Sequence, residues 1–492
     1  MGIVIVGGGP AAHRLVNALR RSGYGGRLTV LGAERHPAYH RPLLGSVLAG
    51  QLPPEALTLP PAEAELRTGT TVTSVDREHR TVHTGDGASH PYETLVLATG
   101  ARPRWPRLGG PAPDGEPAAA PPVPVTVLRT LDDCRDLRAA LGGPAAAPRS
   151  VAVVGAGVLG VETAMTLRES GHHVTLVHRA PHPMDRRLDA TAGDLLAERL
   201  RQLGVRLLLG RTATGYGPGH LRLDGDERLP ADHVVLCAGT VPRTGLARRA
   251  GLAVRTGVVV DGHLRTSDPR IHAIGDCAEQ DDVVAGTVTT AWEQADTLAA
   301  LLTGARPGTP ARPPRSVLRL RTRAVELAVF GPPQPPAGGG PTETVTFQDR
   351  SGARYARLVL SGGRLRAGVL LGLPRAAAAL AQLYDRDAPL PSDRLSLLLG
   401  VAPMTGEPAD LPEDSLVCDC NNVSRAGLRQ AWQDGARDLY ALVAATRATT
   451  GCGGCADDVR AWCAQATAGT AARPGDAALC APAVPSTLGG VK

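Results

Sequence analysis

Four consecutive apolar residues, Ile3–Val6, stop at Gly7, Gly8 and Gly9, after which Ala12, Leu15, Val16 and Leu19 recur at helical spacing. A short run that is apolar on both faces predicts a buried parallel strand, and the 3.6-residue period after it predicts an amphipathic helix. The same order returns at Val151, Ala152, Val153 and Val154, followed by Gly155 and a second helical pattern. Before residue 103 and between 151 and 300, apolar strands alternate with helical stretches in the manner of βαβ units. From 315 to 370 the pattern changes to alternating strands such as Arg357-Leu358-Val359-Leu360, which predicts a separate α+β domain. Three turn-rich stretches punctuate this order. Segment 103–125 is a Pro/Ala/Gly linker, 331–343 reads as a long exposed hairpin connection, and the tail after about Ala468 is small, polar and prone to fray.

At roughly 100–200 residues per domain, 492 residues make three or four domains. Hydrophobic residues are 43% and charged residues 20%, enough apolar surface to build cores and too much for a disordered chain. No apolar run approaches the ~18 residues that span a bilayer, so an integral membrane protein is excluded. Aromatic residues are only 3%, so the cores are Ala/Val/Leu packing and a base-stacking nucleic-acid surface is not expected. Of the 53 Lys and Arg, Lys492 is the sole lysine. That bias, with the Ala, Gly and Pro excess, reads as coding bias, and a net charge of +6 without charge runs points to no nucleic-acid role. No export signal precedes the first strand, and nine cysteines in such a chain suit metal binding or inert packing better than disulfides, so the expected compartment is the cytoplasm.

The chemistry begins at Gly7-x-Gly9-x-x-Ala12. Gly7 permits the tight turn, Gly9 lets a pyrophosphate approach the backbone at a helix N-terminus, and Ala12 stands at the close strand–helix contact. The next strand ends at Glu34, about 20 residues on, where a carboxylate can hold ribose hydroxyls. A second copy carries Gly155, Gly157 and Gly160. Its following strand ends in His178-Arg179 rather than an acid; the missing anion leaves room for a 2′-phosphate, and Arg179 is available to pair with one or to stay solvated. The motif therefore admits either coenzyme, NADH or NADPH. Two dinucleotide folds in one chain imply a flavin and a nicotinamide held face to face.

Cys418-x-Cys420 and Cys452-x-x-Cys455 form a set of four thiolates, with Gly451, Gly453 and Gly454 allowing backbone N–H groups close to sulfur. An iron–sulfur cluster is the expected occupant; structural zinc is the rival, although Cys-x-Cys departs from usual zinc spacing. Cys134, Cys237, Cys277, Cys463 and Cys480 fall outside the pattern and read as packing thiols.

LVLATGARP, running into Thr99-Gly100, and IHAIGDCAEQ, running into Gly275-Asp276, resemble segments of the two-dinucleotide-domain flavoprotein reductases. The resemblance implies that Asp276 binds the FAD ribityl chain, that Thr99, Gly100 and Val72 lie along the FAD, and that Gly239 makes the second AxG turn on the nicotinamide side. Without it, Asp276 would read as a helix N-cap. No close cysteine pair follows the first glycine motif, which excludes the disulfide-reductase branch. YHRPLLGSVLAGQ is similar to the family's RPPLSK segment, with Ser46 where the lysine would lie; Arg41 there is a FAD contact or a surface ion pair. Glu162 matches the family's GxGxxGxE glutamate, which would orient the nicotinamide, and otherwise is a helix-surface acid.

CNNV at 420–423 and TGCGGC at 450–455 closely resemble the bacterioferritin-associated-ferredoxin-like (BFD-like) [2Fe–2S] domain. The whole then resembles the FAD/[2Fe–2S] electron-transfer subunits of assimilatory nitrate reductases and the front part of NAD(P)H nitrite reductase large subunits. The implied fold class is α/β, with two Rossmann-like domains, an α+β domain and a small helical [2Fe–2S] domain. The expected boundaries are 1–122 and 246–312 for a discontinuous FAD domain, 123–245 for NAD(P)H, 313–402 for the α+β interface domain, 411–468 for the cluster and 469–492 for a flexible tail. No sirohaem region with its own four cysteines follows the cluster motif, so electrons are expected to leave for another protein. The resemblance implies an NAD(P)H-dependent flavoprotein reductase feeding a molybdenum nitrate reductase subunit. Alternatives are a separate nitrite reductase, an oxygenase-type partner, or a redox-sensing or iron-handling module. A homodimer is compatible with all of them.

Overall fold

The computed structural model describes residues 2–106, 108, 124–142, 147–284, 286–304, 317–320, 322, 324–332, 341–400, 413, 415–418, 423–449 and 455–469. Most of the linker 103–125, the centre of the 331–343 connection, Cys420, Cys452, Cys480 and the tail from residue 470 lie outside them.

The chain begins with β1 (Ile3–Val6), α1 (Pro10–Arg21), β2 (Leu28–Leu31), β3 (Glu65–Arg67) and β4 (Thr94–Leu97). It then builds a second sheet from β5 (Val125–Val127), β6 (Ser150–Val154), β7 (His173–His178), β8 (Arg206–Leu209) and β9 (His233–Leu236), with α2 (Leu131–Leu141) and α3 (Val158–Glu169). β10 (Ile271–Ala273) returns to the first sheet, and α4 (Val288–Leu302) packs beside α1. The first sheet has the order β10-β4-β1-β2-β3 and the second β8-β7-β6-β9-β5, with every pairing parallel. Strand order reverses at β1 and at β6, and both glycine turns stand at the carboxyl ends of those strands. In open parallel sheets that switch point is where ligands bind.

The apolar runs form these strands because both faces are covered: β1, β2 and β9 are buried along their whole length. Buried His233, at the start of β9, is hydrogen-bonded through Nε2 to Thr126 Oγ1 at 2.8 Å. Burial, aided by Arg149, pulls its pKa down to about 4. The unfolded chain therefore takes up this proton first, near pH 6.5, and stability falls between pH 6.5 and 4 by up to about 3 kcal/mol. Urea unfolding at pH 7 and pH 4.5 should show that loss reduced in His233→Gln. An undiminished loss would assign the acid sensitivity to other groups.

A third sheet follows: β11 (Val317–Arg319), β12 (Leu327–Phe330), β13 (Thr342–Asp349), β14 (Arg354–Ser361) and β15 (Arg364–Leu371), all antiparallel in the order β11-β12-β15-β14-β13. β12 shows the two-residue period. Leu327 and Val329 join the core shared with the second sheet, while Ala328 and Phe330 lie under α5 (Pro374–Asp385), where Phe330 meets Tyr384 edge-on at 5.6 Å. The segment 331–343 is not a hairpin connection, because β15 and β14 lie between the strands it joins. The residue types give the reason: β12, LAVF, is wholly apolar and suits the interior, whereas β13, TETVTFQD, is mostly polar, has no buried residue and suits the edge. The chain ends in a small unit with a two-stranded ribbon at Leu416–Cys418 and Val423–Ser424, followed by α6 (Arg425–Gln433), α7 (Leu439–Thr446) and α8 (Ala456–Gly469). Its core centres on Leu428, Trp432, Leu442 and Val459. Among the described residues no helix is long and apolar enough to cross a membrane.

Candidate functional site

The first glycine turn is shaped by contact as well as by conformation. Gly7 has φ of +119°, and a Cβ there would lie 2.1 Å from the Ala98 carbonyl oxygen at the end of β4. Gly9 is the N-cap of α1 with no side-chain cap, and the helix has no acid in its first turn. The N-terminal amides are thus left for an anion. Ala12 is buried against the sheet. Arg41 stands over this turn, its Nη2 3.9 Å from where a Gly9 Cβ would be. Its guanidinium pairs with Glu34 and donates to Tyr39 Oη at 3.0 Å, and Tyr39 in turn donates to Glu34 at 2.7 Å. Burial, with Glu34 adding to it, lifts the Tyr39 phenol above its ordinary range, so it remains a donor.

The remaining FAD-assigned residues lie on three elements. Gly275 has φ of +75°, its N–H donates to Gln294 Oε1 at 2.7 Å, and a Cβ there would stand 3.3 Å from Ala11 Cβ at the head of α1. Asp276 beside it pairs with Arg129 at 2.5 Å. Thr99 Oγ1 donates to the Arg243 carbonyl at 2.9 Å, and Gly100 has φ of +69°. Val72 is half-buried at the start of the strand Val72–Asp76 and packs on the first core.

Segments Ala101–Pro103 and Thr240–Pro242 pair as an antiparallel ribbon that bridges the two folds. Arg104 N–H donates to the Gly239 carbonyl, and Arg243 N–H to that of Gly100. The ribbon therefore brings Thr99-Gly100 and Gly239 together. Burial lowers the Arg243 pKa, and the neighbouring Arg102, Arg129 and Arg41 push the same way. Arg41, paired with Glu34, stands at the α1 N-terminus, and Arg129 is paired with Asp276; a guanidinium beside helix N-terminal amides suits an anion such as a diphosphate. Arg102, Arg129 and Arg243 are the functional candidates that sequence reasoning missed. In a chain whose basic residues are all arginine but one, single arginines carry no signal.

The second turn is tighter still. Gly155 has φ of +105° with a Cβ position 2.5 Å from the Cys237 carbonyl, and a Gly160 Cβ would fall 1.8 Å from the Gly155 carbonyl. Gly157 caps α3, Glu162 is half-buried on that helix, and Gly239 has φ of +94° with open space at its Cβ. His178 ends β7 and faces the glycine turn: Ala156 N–H donates to its Nδ1 at 3.3 Å, and its Nε2 meets Asp185 at 3.0 Å. Arg179 is exposed. Cys237, Cys134 and Cys277 are buried thiols, and burial pushes the first two up to about 12 and about 11, which makes them packing groups.

In the C-terminal unit, Cys418 pairs with Val423 across the ribbon and Cys455 precedes α8. Both are buried in one apolar cluster. Thr449 N–H donates to Cys455 Sγ at 3.2 Å, from a turn in which Arg447 and Thr449 both have positive φ. A buried thiol that already accepts a backbone N–H fits a cluster ligand, since such bonds stabilise thiolate sulfur. Arg447 donates to the Thr58 carbonyl at 3.2 Å, linking this unit to the first domain.

Two dinucleotide cradles joined by a ribbon define a flavin- and nicotinamide-binding oxidoreductase. Residues 1–295 match the pyridine nucleotide-disulphide oxidoreductase family, and the chain belongs to it. Residues 416–464 match the BFD-like [2Fe-2S] binding domain. The two matched regions carry the folds for FAD, NAD(P)H and a [2Fe–2S] cluster, the cofactor set of an NAD(P)H-dependent flavoprotein reductase.

The chain is 31% identical to the nitrite reductase [NAD(P)H] of Bacillus subtilis over 92% of its length and 56% of that protein. It is 28% identical to the assimilatory nitrate reductase electron transfer subunit of the same organism, over 92% of this chain and 58% of that one. It thus spans little more than half the length of these curated relatives. Among solved structures, the covalent putidaredoxin reductase–putidaredoxin complex superposes with a TM-score of 0.70 at 28% identity, covering 81% of this chain and 98% of that one.

Proposed function

We propose that this chain oxidises NAD(P)H and passes single electrons to a separate protein, a molybdenum-containing nitrate reductase subunit. The observation that supports it is the joining in one chain of two dinucleotide cradles with a buried cysteine site, together with the 92% span of the match to a nitrate reductase electron transfer subunit. FAD, when bound, accepts a two-electron hydride from NAD(P)H and releases electrons one at a time to a [2Fe–2S] cluster. The protein's own groups bind and orient. The α1 N-terminus with Arg41, Arg129 and Arg243 holds a diphosphate, Asp276 and Glu34 accept hydroxyls, and Glu162 orients the nicotinamide. Cys418, Cys420, Cys452 and Cys455 hold the cluster. The FAD domain is discontinuous, 1–122 and 246–312, with NAD(P)H in 123–245, the interface domain in 313–402, the cluster in 411–468 and the tail in 469–492.

The match to nitrite reductase over the same span favours a second acceptor, a separate nitrite-reducing subunit. Purified protein is expected to show flavin absorbance and to reduce ferricyanide with NAD(P)H. It should then support nitrate reduction by an added molybdenum catalytic subunit. Support of a nitrite-reducing subunit alone would replace the acceptor, and loss of turnover after a single reduction would make the protein a sensor instead.

A further inference from the structure

The second dinucleotide fold lacks the acid that normally ends its second strand, yet the structure brings a carboxylate against His178, the residue that does end it. Three hydrogen bonds build it. Met184 N–H donates to the Ala156 carbonyl at 2.8 Å, which fastens the loop after β7 onto the glycine turn. Ala156 N–H donates to His178 Nδ1, so the ring proton resides on Nε2, and Nε2 is aimed at Asp185 Oδ1. Met184 is a buried non-glycine residue with φ of +54°. A left-handed conformation at such a residue persists only where its surroundings impose it, and such residues cluster at ligand sites. The Asp185 side chain remains 32% exposed, so it can meet a ligand, while His178 at 11% is held inside.

We propose that Asp185, positioned by His178, is the acid that accepts the adenosine ribose hydroxyls, and that the site therefore takes NADH in preference to NADPH. A carboxylate there accepts from a 2′-hydroxyl and repels a 2′-phosphate. Arg179 stands next in sequence but is exposed, whereas the His178–Asp185 pair is tied to the turn that binds the pyrophosphate. The assignment rests on the reading of this fold as the NAD(P)H domain.

Calorimetric titration with 5′-AMP and with 2′,5′-ADP, on the FAD-loaded protein, tests it without turnover. The wild type should bind 5′-AMP about 10-fold more tightly than 2′,5′-ADP, the size of one charge-assisted hydrogen bond. Asp185→Asn should erase most of that ratio. His178→Gln, which can still accept from Ala156 and donate to Asp185, should keep it, and His178→Leu should lose it. Tighter binding of 2′,5′-ADP by the wild type would overturn the assignment in favour of Arg179, and so would an unchanged ratio in a folded Asp185→Asn. If that variant does not fold, the wild-type ratio alone decides. Binding of neither nucleotide overturns the assignment, and if NAD(P)H oxidation is also absent, the underlying reading falls with it.

Discussion

Serine in place of Cys455 is expected to remove the iron–sulfur cluster while leaving NAD(P)H oxidation by ferricyanide nearly intact. Cys455 is buried in the same apolar cluster as Cys418 and accepts a hydrogen bond from the Thr449 amide. Soft thiolate ligands select iron–sulfur clusters, and a hydroxyl neither ionises at neutral pH nor matches that softness. Loss of an outer partner of a metal site alone costs roughly 10–100-fold, so loss of a ligand should lower transfer to a protein acceptor by at least about 100-fold. Iron content and the EPR signal of the reduced protein read the cluster, and ferricyanide reads the flavin. Cys463→Ser, another buried cysteine of the same unit, is the control and should retain iron. A Cys455→Ser protein with full iron and full transfer would remove Cys455 from the ligand set.

Alanine at Gly160 should disable the nicotinamide half with comparable force. Its Cβ would fall 1.8 Å from the Gly155 carbonyl, and Gly155 is itself pressed against the Cys237 carbonyl. Both obstacles are backbone, so α3 must back away from β6. Overpacking of this kind costs about 3 kcal/mol, and the displaced helix no longer presents its amides to the pyrophosphate. NAD(P)H turnover should drop by at least about 100-fold, as expected when binding geometry is lost. FAD absorbance should persist, because the first cradle stands on a different sheet. Gly157→Ala is the contrast: φ there is −72° and no atom lies within 4 Å of the added Cβ, so this variant should lose no more than about 1 kcal/mol in urea unfolding, the cost of alanine at an N-cap. Equal destabilisation by the two substitutions would contradict the packing argument.

The legible parts of the protein were those whose signal is local. Each glycine turn sits between an apolar run and a helical period, and the cysteine spacings are short, so both could be read within a dozen residues. The parts that escaped depend on distance along the chain. Arg129 meets Asp276 and Arg243 meets Thr99 only because parallel strands and the interfold ribbon fold them together. The partner of a strand is likewise a tertiary choice. Local pattern found β12 and β13 but paired them wrongly, since it could not show that β14 and β15 would lie between them. His178 and Asp185 are close in sequence, yet their contact depends on the left-handed turn at Met184, which no propensity predicts for methionine.

The return of β10 to the first sheet sets an order of events during synthesis. β4 lies at the edge of its sheet until Ile271–Ala273 arrive to cover it, and Gly275-Asp276 come directly behind that strand. All five strands of the second sheet have been made by residue 236. On a ribosome, the inserted half can therefore reach its native form first, while the N-terminal half waits with an unpaired parallel edge. A nascent chain arrested between the two points would hold a finished second sheet and an open first one. The two sheets would thus mature in the reverse of the order in which their first strands leave the ribosome.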